Sequence, residues 1–212
     1  MTTFTTEDRV TVEQGTTEWM ALRNGKVTAS RIADVLSKGR SGESASRKNY
    51  RTELVVQKLT GQPGESFTNS AMEWGTATEP MARVAYEVAK GNFVEQVAFV
   101  DHPSIANFGC SPDGVIDDGL IEIKCPNSST HIEYLTDDKP PAKYVPQMQC
   151  QMAVTGTKWC DFVSFDPRLP EDLQLFVVRL ERDDEYIKAM EEEVKKFLGE
   201  VDEMFTKLKE RK

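Results

Sequence analysis

The chain has 212 residues, is 39% hydrophobic and 29% charged, and carries a formal net charge of −9, which argues against a surface that is basic all over. This length fits one domain with a proper core, over residues 1–212. No apolar run approaches membrane-spanning length, and the polar N-terminus lacks the apolar segment of a signal peptide, so we expect a soluble intracellular protein without a membrane partner.

The number and spacing of the cysteines and histidines limit which kinds of metal site the chain can form. The four cysteines are widely spaced, with no C-x-x-C pair, so we expect reduced, mostly buried thiols rather than a disulfide framework or a zinc site. The two histidines, His102 and His131, lie far apart, which argues against a histidine-rich metal site. Any metal would then take hard oxygen ligands, and these favour Mg²⁺ or Mn²⁺.

The N-terminal region begins with a polar segment over residues 1–12 that we expect to be a loose end. A first helix is predicted to follow a hydroxyl cap near Thr16 and to end at Asn24. A second helix is predicted over residues 27–36, with a cap at its first hydroxyl residues.

A Gly- and Ser-rich segment over residues 38–48 is predicted to be a flexible loop, and a third helix is predicted over residues 50–59. Between Arg23 and Arg51, eight basic residues stand against two acidic ones. A basic stretch of this kind can hold phosphates, although taken alone it is more typical of a solvated loop.

A longer helix is predicted over residues 70–87 and ends at Gly91, with Pro80 opening a new helical segment or kinking the existing one. Glu79 lies within it, and taken alone it is an ordinary solvated carboxylate. Five apolar residues have helical spacing and are predicted to face the core: Trp74, Ala77, Met81, Val84 and Ala85.

Short strands and tight turns follow. A strand is predicted over residues 93–100 because apolar and polar residues alternate there, and a second short strand over 106–110 leads into Ser111. Pro112-Asp113-Gly114 cannot lie inside a regular element, so we expect a turn or strand start that holds one carboxylate. Asp117-Asp118-Gly119 then predicts a hairpin turn.

The strand predicted over residues 120–125 carries charged residues into the fold. Its alternation places Glu122 and Lys124 on one face and Ile121 and Ile123 on the other. On a strand that enters a core, such charges need partners, because their desolvation is expensive.

A metal ion held by Asp113 and Glu122 would be such a partner, and Lys124 beside it would hold or polarise an attacking water. Taken alone, the Glu-x-Lys fragment is more typical of a hairpin with a surface ion pair, because short motifs occur often by chance. The surrounding sequence therefore has to decide between the two interpretations.

The C-terminal part alternates helix and strand. A helix is predicted over residues 146–154, strands over 158–166 and 173–180, and a long amphipathic helix over 183–212, which packs on its own domain or on a neighbouring subunit. The predicted fold class is therefore α/β, with a central sheet flanked by helices and a long C-terminal helix.

Pro-Asp, a spacer and Glu-x-Lys form the signature of the PD-(D/E)xK nuclease superfamily, and Ser111-Pro112-Asp113-Gly114 with residues 121–126 closely resembles the lambda exonuclease (YqaJ-type viral recombinase) family. Residues 19–30 are similar to its W-x-x-L-R-x-G-x-(I/V)-T-A-S pattern. W-G-x-x-x-E-x-x-A from Trp74 and Q-x-Q from Gln147 resemble two more motifs. The resemblance runs in order from about residue 13 to residue 182.

This resemblance implies a restriction-endonuclease-like core with a mixed sheet, and a two-metal site. Asp113 and Glu122, with the backbone carbonyl of Ile123, would hold two Mg²⁺ ions, with Mn²⁺ as a substitute. Lys124 would position the water, and Glu79 would lie near the metals.

The resemblance also assigns a site for a terminal 5′-phosphate to Arg23, Ser30 and Ser111. The planar donor fork of Arg23 suits a phosphate. The family's reference protein carries a further basic residue in this pocket, near Thr130 and His131 of this chain. Either His131 replaces it or the function is shared differently.

Two further features are implied less directly. Met72 falls where the family places an apolar wedge that splits the terminal base pairs, and an ordinary packing role is as compatible with this residue. Gln149, together with Gln147, would bond the metal-ligand carboxylates or the DNA, whereas Gln151 is interpreted as polar surface.

The function implied is a metal-dependent 5′-to-3′ double-strand DNA exonuclease that leaves a 3′ single-stranded tail for phage-type recombination by strand annealing. The family also implies a ring-shaped homotrimer, a single-strand annealing protein as partner, and a place in the bacterial host cytoplasm. Two alternatives stay open: a restriction-type endonuclease on the same core, and a non-catalytic module that binds DNA ends.

Overall fold

The structure is a computed structural model that describes residues 12–40, 42–64 and 69–211. The predicted loose end over 1–12 therefore lies outside the described residues, apart from its last position. The helices are α1 (Thr17–Arg23), α2 (Ile32–Leu36), α3 (Ala45–Thr60), α4 (Ser70–Lys90), α5 (Ser128–Asp137), α6 (Val145–Thr155) and α7 (Asp184–Lys209). The strands are β1 (Val27–Thr28), β2 (Lys38–Gly39), β3 (Gly42–Glu43), β4 (Val100–Asp101), β5 (Phe108–Cys110), β6 (Gly114–Ile116), β7 (Gly119–Lys124), β8 (Trp159–Phe165) and β9 (Leu175–Glu181).

The strands form two mixed sheets and a small β2–β3 hairpin. The larger sheet has the order β6-β7-β8-β9, in which β7 and β8 are parallel and the outer pairs are antiparallel. The second sheet has the order β1-β5-β4, with β1 parallel to β5. Mixed sheets flanked by helices, with a long C-terminal helix, confirm the predicted fold class.

Strand β7 is buried between two apolar layers. Ile121 and Ile123 pack in one cluster with Tyr86 of α4. Leu120 packs on the opposite face, in the larger cluster that contains Met148 of α6. The alternation predicted for this strand is confirmed, and it leaves Glu122 between the sheet and α6 because Glu122 shares the face of Leu120.

The predicted core face of α4 is wrong in part. Met81 and Val84 are 54% and 58% exposed, and Val88 further along the same stripe is 79% exposed. The buried residues of α4 are Thr78, Ala82 and Tyr86, and the predicted core residues Trp74 and Ala85 pack beside them, partly buried. The small side chain of Ala82 lets the helix approach β7 closely, which the larger apolar residues of the other stripe would prevent.

The basic stretch is largely neutralised by acidic side chains. Arg47 is 8% exposed and donates to the carbonyl of Val35 at 2.9 Å and to Glu200 at 2.7 Å. Arg51 donates to Glu43 at 2.8 Å and to Glu200 at 2.9 Å. These two arginines hold α3 against α7, so they are not available for phosphates.

Helix α7 packs on its own chain through buried apolar residues, which settles the choice that its sequence left open. The buried residues are Ile187, Met190, Val194, Phe197 and Val201. Among the residues described, no helix is both long and apolar enough to cross a bilayer.

Three local predictions differ from the structure. The helix predicted over 27–36 divides into β1, a short 3₁₀ turn and α2, because Val27 and Thr28 pair with β5 instead. The segment predicted as a loop over 38–48 forms the β2–β3 hairpin and then the first turn of α3, which Ser44 caps. The strand predicted over 93–100 is reduced to β4 and an isolated bridge.

Candidate active site

The site forms where the chain passes from the smaller sheet to the larger one. β5 ends at Cys110 and β6 begins at Gly114, so Ser111, Pro112 and Asp113 connect the two sheets. The proline prevents this connection from continuing as regular strand. As a result, Ser111 and Asp113 project from a fixed connection beside the edge of β7.

Asp113 is fixed by the backbone of β7. Strand β7 runs past the end of β6, and the amide of Ile123 donates to Asp113 Oδ2 at 2.7 Å. The N–H and C=O of one strand residue point to the same side. The carbonyl of Ile123 therefore faces the side on which Asp113 lies, as the predicted metal site requires.

Glu122 is completely buried, at 0% exposed, and it is held by three donors. Gln147 Nε2 donates to its Oε1 at 2.6 Å, and Gln151 Nε2 donates to its Oε2 at 2.7 Å. Lys124 forms an ion pair with Oε1. Because donors engage both oxygens, the carboxylate has a single orientation.

The electrostatics of the cluster favour a cation. Burial, together with the carboxylates of Glu122 and Glu79, raises the pKa of Asp113 to about 8, although Lys124 opposes this shift. Burial lowers the pKa of Lys124, but Glu122 and Asp113 outweigh it and hold this pKa above its ordinary value. Lys124 is therefore an ammonium that donates hydrogen bonds, and the carboxylates repel one another.

The structure does not bring Gln149 to this cluster. Its Nε2 donates to the carbonyl of Glu181 at 2.8 Å, and its Oε1 accepts from the amide of Asp183 at 3.0 Å. Gln149 thus joins α6 to the start of α7, and the interpretation of this residue as a partner of the metal-ligand carboxylates is wrong.

Gln151 takes the place expected for Gln149. It is 0% exposed, so its interpretation as polar surface is wrong. A signal was present in the sequence: residues four apart lie on the same face of a helix, so Gln147 and Gln151 reach the same carboxylate while Gln149 points away from it.

Glu79 lines an open cleft of about 480 Å³ together with Ile123 and Lys124, which places it beside the cluster. Its Oε1 accepts from Arg83 at 2.6 Å. Arg83 also lies 3.5 Å from the carbonyl of Asp113. Sequence reasoning missed Arg83, which the four-residue spacing from Glu79 indicates.

The donor set suits a hard divalent cation. Within the described ranges, no three His, Cys, Asp or Glu side chains converge closely enough to hold a metal by themselves. Asp113 and Glu122 supply two carboxylates, and the Ile123 carbonyl faces the same side. Oxygen donors of this kind match Mg²⁺ or Mn²⁺, and a cation would offset the repulsion that raises the pKa of Asp113.

The predicted phosphate ligands also come together. Arg23 Nη1 donates to Ser111 Oγ at 3.2 Å, and its Nη2 donates to Ser30 Oγ at 3.3 Å. The guanidinium lies over the ring of Trp19, 4.1 Å from its centroid. The indole N–H of Trp19 donates to Ser111 Oγ at 2.9 Å and so fixes this hydroxyl, a contact that sequence reasoning missed.

Arg23 differs from the other cations of this open cleft of about 380 Å³. Lys26 pairs with Asp101 at 2.7 Å, and Arg31 pairs with Asp34 at 2.6 Å. In the part of the chain that the structure describes, no carboxylate pairs with Arg23. Burial lowers the pKa of Arg23 below its ordinary value, yet the group stays cationic at neutral pH and can bind an anion.

Met72 and His131 occupy contrasting positions. Met72 is 52% exposed and lines both the cleft beside Glu79 and the cleft around Arg23. His131 is buried, with Nδ1 2.7 Å from Ser164 Oγ and Nε2 2.9 Å from the carbonyl of Leu173. Both ring nitrogens form hydrogen bonds within the protein. The alternative in which His131 replaces the family's additional basic phosphate ligand is therefore wrong.

The chain is similar to known exonucleases. The alkaline exonuclease LHK-Exo from Laribacter hongkongensis is 53% identical over 92% of this chain and 96% of that chain, with a TM-score of 0.85, and its complex with dAMP matches equally well. A phage-related exonuclease from Haemophilus somnus 129PT has the same fold, with a TM-score of 0.71 and 17% identity over 86% of this chain and 96% of that chain. No curated protein matches the chain significantly.

The sequence model of the YqaJ-like viral recombinase domain matches residues 18–158, which include Arg23, Glu79, Asp113, Glu122 and Lys124. This match covers more than half of the chain and contains every residue assigned to the candidate site. The chain belongs to the YqaJ-like viral recombinase family.

Proposed function

We propose that this protein is a Mg²⁺-dependent DNA exonuclease that degrades the 5′-ended strand of a linear duplex in the 5′-to-3′ direction. The product is a 3′ single-stranded tail for recombination by strand annealing. The family and the relative named as an alkaline exonuclease support a nuclease, and that relative's complex with dAMP supports a mononucleotide product.

One observation supports cleavage next to a terminal phosphate. Ser111, which accepts from Arg23, and Asp113, which accepts from Ile123, are separated by a single proline. Two residue steps of backbone span at most about 7 Å, which is comparable to the step between neighbouring phosphates in a strand. A terminal phosphate held by Arg23 would therefore place the next phosphodiester at Asp113.

The chain's own residues divide the work. Arg23, Ser30 and Ser111 bind the 5′-phosphate and orient the strand. Lys124 donates to the attacking water or to the scissile phosphate, because its raised pKa keeps it protonated.

Asp113, Glu122 and the Ile123 carbonyl would hold two Mg²⁺ ions, and Glu79 lies beside them. When bound, the metal supplies a Lewis acid that offsets the charge of the transition state. Gln147 and Gln151 keep the Glu122 carboxylate in one orientation.

We further propose a homotrimeric ring in the cytoplasm of a bacterial host, with a single-strand annealing protein that receives the tail. The support for an assembly is the exposed apolar stripe of Met81, Val84 and Val88 on α4. Sedimentation equilibrium of the purified protein distinguishes a trimer from a monomer.

Digestion of a linear duplex labelled at either end, with and without 5′-phosphate and Mg²⁺, tests the reaction. We expect label at the 5′ end to be released first, only with Mg²⁺, and faster from phosphorylated ends. A covalently closed circle should stay intact, and its cleavage would instead indicate a restriction-type endonuclease. Binding of ends without any release would indicate a non-catalytic module.

A further inference from the structure

A second cleft, of about 500 Å³, opens beside the catalytic cleft, and we call it the Trp74–Tyr144 cleft. Its lining is Ser70, Ala71, Trp74, Cys125, Pro126, Asn127, Thr130, Tyr134, Lys143, Tyr144 and Arg168. It shares several of these residues, Tyr144 among them, with the cleft that contains Glu79 and Lys124. The two spaces are therefore continuous.

The clefts follow one another in a fixed order. Met72 lines both the cleft around Arg23 and the catalytic cleft. Tyr144 lines both the catalytic cleft and the Trp74–Tyr144 cleft. The first and the last share no lining residue. A strand whose 5′-phosphate lies at Arg23 and whose scissile phosphate lies at Asp113 continues toward the Trp74–Tyr144 cleft.

The charge of this cleft is unusual for a chain with a net charge of −9. Its lining contains Lys143 and Arg168 and no aspartate or glutamate. The cleft between α3 and α7 differs, because Glu43, Glu193 and Glu200 line it together with its cations. Of the two cations that line the Trp74–Tyr144 cleft, Arg168 is paired with Asp166, so Lys143 carries the charge that remains for an anion.

The two cations are held in different ways. Arg168 donates to Asp166 at 2.7 Å and to the carbonyl of Pro126 at 3.0 Å, and its guanidinium lies 4.4 Å from the ring centroid of Trp74. Lys143 is exposed, and no ion pair joins it to a carboxylate within the ranges the structure describes. Its ammonium lies 4.8 Å from the ring centroid of Tyr144.

Two further observations point to a ligand. The indole N–H of Trp74 is buried and has no acceptor among the described residues. Tyr144 lies between two cations, since Lys124 is 5.3 Å from the centroid of the same ring. Cations interleaved with aromatic rings are the usual lining of channels that bind single-stranded nucleic acid.

We propose that the Trp74–Tyr144 cleft binds the strand on the 3′ side of the scissile bond as a single strand, with Lys143 on a phosphate and the aromatic rings against bases. This assignment rests on the proposed function, because it takes the order of the strand from the 5′-phosphate site. It extends that function by defining a subsite that binds the nucleotides on the 3′ side of the scissile bond.

The test measures binding in EDTA, so that no strand is cut. Fluorescence anisotropy follows a 5′-phosphorylated dinucleotide and a 5′-phosphorylated octanucleotide between about 50 and 200 mM salt. Lys143→Gln should leave dinucleotide binding unchanged and weaken octanucleotide binding by about threefold to tenfold, with the salt slope reduced by about 0.7 because one phosphate contact is lost.

Lys139→Gln is the matched control, because it removes the same charge from the same connection between α5 and α6. Lys139 lies outside the cleft, 3.7 Å from Asp137, so its loss should change neither affinity. The inference is overturned if the Lys143 and Lys139 variants bind the octanucleotide equally well, or if the parent protein gains no affinity with length. Failure of the proposed function is recognised separately, as an absence of Mg²⁺-dependent nucleotide release by the parent protein.

Discussion

The catalytic cluster around Asp113 and Glu122 and the 5′-phosphate pocket around Arg23 lie on the two sides of Pro112. They differ in the sign of their charge and in how closely their polar groups are held. In the cluster, Glu122 is fully buried and accepts at 2.6 and 2.7 Å from two glutamines. In the pocket, the hydrogen bonds of Arg23 to described side chains go to hydroxyl groups, at 3.2 and 3.3 Å. One site has excess negative charge in close contacts, and the other has a positive donor in loose contacts.

This difference indicates what each site requires. Converging carboxylates raise the pKa of Asp113, so that site is completed by a cation. A guanidinium that meets only hydroxyls is completed by an anion. A phosphodiester strand and its metals supply both, so the two sites should respond differently when their residues are replaced.

The largest effect is expected at Lys124. Lys124→Ala removes the ammonium that pairs with Glu122 beside Asp113, and nucleotide release should fall by about 100-fold or more. DNA-end binding in EDTA should persist, because Arg23 is untouched. Lys158→Ala, which removes an exposed lysine paired with Asp118 at 2.6 Å, is the control. Unchanged turnover of the Lys124 variant would contradict the assignment.

Arg23→Ala should affect the other site selectively. The loss of a charge-assisted contact to phosphate predicts a drop of about tenfold to 100-fold in the preference for 5′-phosphorylated over 5′-hydroxyl ends. Digestion of matched duplexes measures this ratio, and Arg40→Ala, which replaces an exposed arginine of the same basic stretch, should leave it unchanged. If the parent protein digests 5′-phosphorylated and 5′-hydroxyl duplexes at the same rate, the assignment of Arg23 to a phosphate pocket is contradicted.

The glutamines of α6 allow a sharper comparison. Gln151→Leu frees Glu122 Oε2, so the Mg²⁺ concentration needed for activity should rise about tenfold, as for other residues that orient metal ligands. Gln149→Leu should instead lower the stability of the protein and leave the Mg²⁺ requirement unchanged. Calorimetric titration of each resting protein with Mg²⁺ measures affinity independently of turnover, and equal affinities would refute the distinction.

The smallest effect concerns stability in the absence of metal. The pKa of Asp113 in the folded protein, about 8, lies above its unfolded value of roughly 4. Folding therefore takes up a proton between these values, and stability falls as pH rises from about 4 to 8.

Asp113→Asn should remove this fall, so the EDTA-treated variant should gain stability relative to the parent between pH 5 and pH 8. Urea unfolding at pH 5 and pH 8 measures it. A parent protein whose stability difference from the variant is the same at both pH values would show that Asp113 does not titrate in this range.

Local sequence predicted the elements of the site because local chemistry determines them. The turn chemistry of Pro112 and Asp113 defines the connection between the sheets, and strict alternation separates Glu122 from Ile121 on β7. The caps of α1 and α7 are likewise local, since Thr16 and Asp183 each accept a backbone N–H of the turn that follows.

Contacts between distant segments could not be predicted in this way. Val27 and Thr28 form a strand only because β5 lies beside them. Arg47 and Arg51 of α3 bond across to α7 because Glu200 of that helix lies within their reach. The sequence leaves open whether His131 binds phosphate, whereas its contacts with Ser164 and Leu173 show a ring that is held within the fold.

The sequence by itself determined which residues carry the charges of this protein and where they stand on their own helix or strand. Tertiary structure decided which of these charges meet: Gln151 rather than Gln149 reaches Glu122, and Arg23 rather than Arg47 remains without a carboxylate. The physical reason is that periodicity defines a face, whereas the partner of that face depends on how sheet and helices pack.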